Sequence, residues 1–269
     1  MKKLLSTITI TITIALILTA CSSQETNRTS PEALENHDLS QEEMFFKIGQ
    51  IEREMLDKSK TLALEDDVYL ETDDFIIRKS MIEARTEQSD ISGLLRGDSE
   101  ETSVKYQLKH ETLYAEAIKQ GFTVTEEEVR NLLNSEIENS RNSVNFDEVT
   151  KPFLEGMRKT LEEYWETQYD MRKQEIVISK YYDSLRETFY FENGYENYDE
   201  TLKEVFDSGR FTENHFPGEE ELFQTHIEIS KYAEQAEEAW QKSFDKLVDN
   251  LIAKQNIRYS VNSSFRISN

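Results

Sequence analysis

A mostly α-helical fold, with long helices and one or two short strands, is what this sequence predicts, and three observations predict it. Only 8 glycines and 3 prolines interrupt the 269 residues, so few positions stop a helix. Charged residues reach 32% while hydrophobic ones stay at 37%, the mix expected of solvated faces crossed by apolar stripes. Apolar residues recur at helical spacing through most of the chain, as in Phe45, Ile48, Ile51, Met55 and Leu62.

Residues 1–20 read as a signal peptide. Lys2 and Lys3 supply the positive charge, and Leu4 to Ile17 form an apolar core too short to span a bilayer. The core closes on Leu18-Thr19-Ala20-Cys21, which resembles the bacterial lipobox, and the resemblance implies that Cys21 is lipidated and becomes the mature N-terminus. Cys21 is the only cysteine, so it has no disulfide partner within the chain. The plain alternative is an ordinary cleaved leader followed by a chance cysteine. A diacylglyceryl anchor would give stable membrane attachment, where a single acyl chain is marginal. Residues 21–38, nearly all polar from Ser22 to Ser30 and then Pro31, form a flexible tether.

Residues 39–189 read as a helical domain. After the first helical stretch, Leu39 to Leu64, a short strand is expected at Val68-Tyr69-Leu70, then a cap and a short helix over 72–84. Two glycines and a polar cluster break the pattern at 92–102. Val104, Leu108, Ala115 and Ile118 share the face of the next helix, which stops at Gly121, where a left-handed C-terminal cap wants glycine. Thr125 and Glu128 form a capping box for the following helix, with Val124 and Val129 placed as its hydrophobic staple. Val129, Leu132, Leu133 and Ile137 carry its apolar face, so a firm corner joins the two helices.

Residues 140–148 read as a loop, and from Pro152 a long helical pattern runs through Phe153, Trp165, Ile178 and Phe189, with a break expected near Gln168 to Arg172. Residues 190–218 mix aromatics with Gly, Asn and Asp and read as an irregular insertion. Residues 219–269 then form a C-terminal helix, with Trp240, Phe244, Leu247 and Leu251 on its stripe, and a closing strand at 257–261.

Most candidate chemistry fails on spacing. His37, His110, His215 and His226 make no HExxH pair and fix no metal. The 192–200 stretch has oxygen ligands without EF-hand spacing. Ser243 and Lys246 match S-x-x-K, yet the motif lies in an apolar helical stripe and neither SDN nor KTG accompanies it. No phosphate-cradling glycine loop and no G-x-S-x-G elbow occur, so no catalytic, cofactor or metal residue is assigned. The aromatics of 190–218 either bind a ligand or, as is usual, cover the loop's own core. The formal net charge of −23, more negative still once Lys2 and Lys3 leave with the leader, argues against nucleic acid as a partner. The acidic surface reads first as a solvated one; attraction of basic unfolded chains is the sharper alternative.

The stretch LKHETLYAEAIKQGFTVTEEEVRNLL (108–133) resembles the N-terminal chaperone module of the SurA and PrsA extracytoplasmic foldases. There a Leu- and Ala-rich helix ends at a KxG and an apolar-TVTEEEV run begins the next. Residues 68–84 are similar to that module's opening strand and helix, 153–168 to its later helices, and 240–261 to its C-terminal return of helix and short strand. The lipobox fits PrsA-like lipoproteins of Gram-positive bacteria. The family's parvulin isomerase domain would sit where only the 190–218 insertion stands, so no isomerase residue is carried over. The resemblance therefore implies a lipid-anchored, chaperone-like lipoprotein on the outer face of the cell membrane. Its partners would be unfolded or exported polypeptides, with no cofactor; a homodimer is left open. A lipoprotein that binds an envelope partner through 190–218 is the alternative.

Overall fold

In the computed structural model the described residues are 39–93, 99–195 and 220–260, with side chains of the last helix described from Glu234 onward. Eight helices and a small antiparallel sheet make up these residues, so the fold is mostly α. The helices are α1 (Gln41–Thr61), α2 (Lys79–Ser92), α3 (Ser99–Lys119), α4 (Glu126–Arg141), α5 (Lys151–Met157), α6 (Leu161–Thr167), α7 (Tyr169–Glu192) and α8 (Glu220–Ala253). The strands are β1 (Val68–Glu71), β2 (Ile76–Arg78) and β3 (Arg258–Tyr259), in the order β2-β1-β3.

The sheet differs from the sequence expectation at one place. Residues 72–84 were expected to be a cap and a helix, but Ile76–Arg78 pairs with β1, Glu71 facing Ile76 and Val68 facing Arg78. Thr72 caps the hairpin turn instead of a helix: its Oγ1 accepts from the Asp74 and Phe75 amides at 3.1 Å. Helix α2 starts later, and its cap is Asp67, from before the hairpin. The buried Asp67 carboxylate accepts from the Ser80 amide at 2.8 Å, the Ser80 hydroxyl at 2.7 Å and Arg78 Nη1 at 3.2 Å. A register shift between Val68 and Leu70 goes with burial of the successive residues Tyr69 and Leu70.

The expected corner forms in full. Gly121 adopts φ +86°, the Phe122 amide donates to the Ala117 carbonyl at 3.0 Å and the Gly121 amide to Ile118 at 3.0 Å, a Schellman end. Thr125 and Glu128 exchange both capping-box bonds, at 3.2 and 2.8 Å. Val129 is fully buried, and Val124 touches two of the three hydrophobic cores, so the staple joins them. Ile118 is exposed, contrary to the expected face of α3; Leu113 and Ala117 carry the buried stripe there.

The first core gathers Phe45, Ile48, Val129, Leu133, Phe153, Met157 and Trp165 from α1, α4, α5 and α6. The second packs α8 through Ala236, Trp240, Phe244 and Val248 against Leu113 and Ala117 of α3 and Val177 and Tyr181 of α7. The third lies under the sheet, with Leu70, Ile77, Ile82, Val104 and Leu108. Beyond α8 the chain returns to its beginning, where β3 pairs with β1, Leu70 facing Tyr259. Arg258 fixes that return by donating to Glu71 and Asp73, each at 2.8 Å.

Candidate functional site

The long helix expected from Pro152 is broken twice. The break at Gln168 was expected; the other, at Arg158–Thr160, makes the site. Helix α5 is pressed onto α1 at Gly156, and its start is set by Pro152. It ends in a second Schellman arrangement, the Lys159 amide donating to Leu154 at 3.2 Å and the Arg158 amide to Glu155 at 3.1 Å. Here the left-handed residue is Arg158, at φ 55°, the single non-glycine residue with positive φ among those described. Thr160 and Glu163 then form a capping box that starts α6. Tyr164 and Trp165 of α6 are buried, and Tyr164 meets Phe153 of α5 edge to face at 5.1 Å, which holds the corner shut on its inner side.

Its outer side is an open cleft of about 400 Å³, lined by Phe146, Lys151, Leu154, Glu155, Arg158, Lys159, Thr160 and Glu163. The floor is apolar, from Leu154 and half-buried Phe146. The rim is mixed: Lys151, Arg158 and Lys159 make no ion pair among the described residues, and they share it with exposed Glu155 and with Glu163, which is held by its capping box. No nucleophile and base are in contact in this arrangement. In the sequence no glycine marks the end of α5, whose left-handed position is Arg158. The T-x-x-E signal at Thr160–Glu163 was there to be read.

A second group of polar residues lies between the helices. Gln88 Nε2 donates to Glu52 Oε2 at 3.0 Å, and burial raises the Glu52 carboxyl above the usual range. Burial, with Glu52 adding to it, pushes the Tyr164 hydroxyl far up, and burial also raises Glu136. Buried Arg172 pairs with Glu175 at 2.5 Å and stacks over Trp165 at 5.0 Å. This network ties α1, α2, α4, α6 and α7 together.

Cys21, His37, His215 and most of the 190–218 insertion lie outside the described residues. Of the insertion, Tyr190 and Tyr195 belong to the second core beside Phe189, while Phe191 is exposed. Helix α7 continues through Glu192, three residues into the expected insertion. His110 sits 3.7 Å from Glu111. Among the described residues no group of three or more His, Cys, Asp and Glu side chains could hold a metal, and no helix is long and apolar enough to cross a membrane. Phe244 of the S-x-x-K match is in the core, while Ser243 and Lys246 are exposed.

What the fold defines is a mostly helical protein with a small antiparallel sheet. Comparison with protein-family models, with curated proteins and with solved structures finds no match.

Proposed function

We propose that the chain is a lipid-anchored, chaperone-like lipoprotein that binds exported, unfolded polypeptides outside the cell membrane and has no isomerase activity. The observation that carries this reading is the path of the chain. A firm corner at Gly121–Val129 and a C-terminal helix and strand returning to β1 are the features on which the resemblance to the SurA and PrsA foldases rests. Only residues 193–219 separate α7 from α8, too short a span for a parvulin domain. Lys2, Lys3, the apolar run and Cys21 support export and anchoring. Affinity is weak and exchange fast, because an unfolded client loses chain entropy on binding.

The test is light scattering from a denatured secreted protein as it aggregates, with and without the full-length chain in lipid nanodiscs. Suppression near stoichiometric ratio is the expected result; aggregation at the rate seen with empty nanodiscs overturns the reading.

One observation favours a second reading, a lipoprotein that binds one envelope partner. The apolar stripes of the described helices are taken up by the three cores, and the large apolar side chains left exposed, such as Leu62, Ile76, Ile118 and Phe191, stand on different elements. Deleting residues 196–218 discriminates the two: it abolishes partner binding and leaves aggregation suppression nearly unchanged.

A further inference from the structure

We infer that Asn193, at the C-terminal end of α7, is a site of spontaneous covalent modification, where the asparagine converts to aspartate and isoaspartate and the last turn of the helix loosens. Three features meet there: a helix cap that selects glycine, an asparagine directly before that glycine, and exposure of both residues.

The cap comes first. The Tyr195 amide donates to the Tyr190 carbonyl at 2.7 Å and the Gly194 amide to the Phe191 carbonyl at 3.4 Å, the same pair of bonds that ends α3 at Gly121. Gly194 has φ 76° and Gly121 φ 86°, a conformation that favours glycine. The residue before the glycine then decides the chemistry. It is Gln120 at the end of α3 and Asn193 at the end of α7.

Once a base has taken its proton, the Gly194 backbone nitrogen can attack Asn193 Cγ. The new N–Cγ bond closes a five-membered succinimide, the Cγ–Nδ2 bond breaks, and the nitrogen leaves as ammonia after regaining a proton. Water then opens the ring. Attack at Cγ yields aspartate, and attack at the backbone carbonyl yields isoaspartate, whose main chain runs through Cγ. In sum an amide and a water become an acid and ammonia, and nothing is oxidised or reduced. A side chain after the asparagine would shield the nitrogen; Gly194 has none, and a Cβ built on it would meet no described atom within 4 Å, so base and water reach it. Two bonds restrain the reaction in the folded chain. Asn193 Nδ2 donates to the Phe189 carbonyl at 2.8 Å, and the Gly194 amide is held as above, so conversion follows fraying of the last turn.

Conversion removes what holds that turn. A carboxylate cannot donate to the Phe189 carbonyl, and its charge stands at the negative end of the helix dipole. Isoaspartate also lengthens the main chain by one carbon just before Gly194. The change reaches the second core, because Tyr190 and Tyr195 belong to it and Tyr195 stacks on Phe189 at 6.3 Å.

The experiment ages the full-length chain, in nanodiscs of neutral phosphatidylcholine, at neutral and at mildly alkaline pH. Chymotryptic fragments are mapped by mass spectrometry, and isoaspartate is labelled with an isoaspartyl methyltransferase. The amide-to-acid mass gain and the label are expected at Asn193, faster as pH rises and slower than in the free peptide Phe-Glu-Asn-Gly-Tyr. Gln120 is expected to convert about tenfold or more slowly than Asn193, since its six-membered ring freezes one more rotatable bond. Asn193→Gln keeps an amide able to donate and is expected to lose both signals at this position while keeping its thermal midpoint. Asn193→Asp is expected to lower the hydrogen-exchange protection of the Tyr195 amide, as ageing does. Conversion at Asn193 no faster than at Gln120 overturns the site. An aged chain, converted at Asn193, whose Tyr195 amide keeps its full protection overturns the loosening.

Discussion

Gly49 of α1 and Gly156 of α5 meet face to face: a Cβ on Gly49 would lie 2.1 Å from the Phe153 carbonyl oxygen, and one on Gly156 2.1 Å from that of Phe46. The two helices therefore cross backbone to backbone, and Arg53 Nη1 seals the crossing by donating to the Gly156 carbonyl at 2.9 Å. Glycine inside a helix is unfavourable by about 1 kcal/mol relative to alanine, yet here only glycine fits. Gly49→Ala or Gly156→Ala is expected to destabilise the protein by about 2–3 kcal/mol in urea unfolding, despite the gain in helix propensity. The double variant should cost less than the sum, because one separation of the helices relieves both clashes.

Asp67 holds the start of α2 from across the hairpin. Replacing it with alanine leaves the Ser80 amide and hydroxyl without their shared acceptor and removes the partner of Arg78. Asp67→Ala is expected to cost about 3 kcal/mol, and Asp67→Asn less, since the amide oxygen still accepts. The check is thermal unfolding together with hydrogen exchange at the first turn of α2, whose protection should fall first.

At the corner, the Glu128 carboxyl is held down at about 2, chiefly by the Lys180 hydrogen bond and then by the Thr125 amide and hydroxyl. A folded-state value below the unfolded one means the stabilisation is present above the usual carboxylate range near 4.5 and is lost as pH falls towards 2. The carboxylate is 44% exposed, so screening limits the contribution to about 1 kcal/mol or less. Between pH 5 and 2 (about the window between the two values), Glu128→Gln should flatten part of the loss in thermal midpoint that the unaltered chain shows.

Glu52 has the opposite sign. Burial raises its carboxyl, and the Gln88, Arg85 and Gln168 side chains offset this only in part. The folded state therefore takes up a proton more readily than the unfolded one, and this group's contribution to stability falls as pH rises through the folded value. Glu52→Gln keeps an acceptor for Gln88 and removes the buried charge. It is expected to raise the unfolding free energy at neutral pH and to change it little near pH 3 (about a unit below the ordinary carboxylate value). An equal effect at both values would show that packing, not ionisation, is responsible.

Where the signals are local, the fold is legible in the residues. Gly121, the Thr125–Glu128 box and the Val124–Val129 staple lie within nine consecutive positions, and all three form as expected. Of the expected α8 stripe, Trp240 and Phe244 are buried, but next along it is Val248, with Leu247 and Leu251 only half-buried; the closing strand forms at Arg258–Tyr259. Strand β2 was not, because three residues, Ile76 to Arg78, are too few to separate an alternating pattern from a helical one. Asp67 could not be read as a cap, since it reaches Ser80 only after the chain has turned back through the hairpin. The cleft was half legible: its capping box at Thr160–Glu163 is written locally, whereas the end of α5 is marked by an arginine where a glycine would announce it.

The most direct measurement of the central proposal is an equilibrium titration of the full-length chain in nanodiscs with one secreted polypeptide in two forms, folded and permanently unfolded by reduction and alkylation. Binding of the unfolded form alone, weak and rapidly reversible, is the expected result. Equal binding of both forms, or selective binding of the folded one, would contradict it and identify a protein that recognises a finished partner.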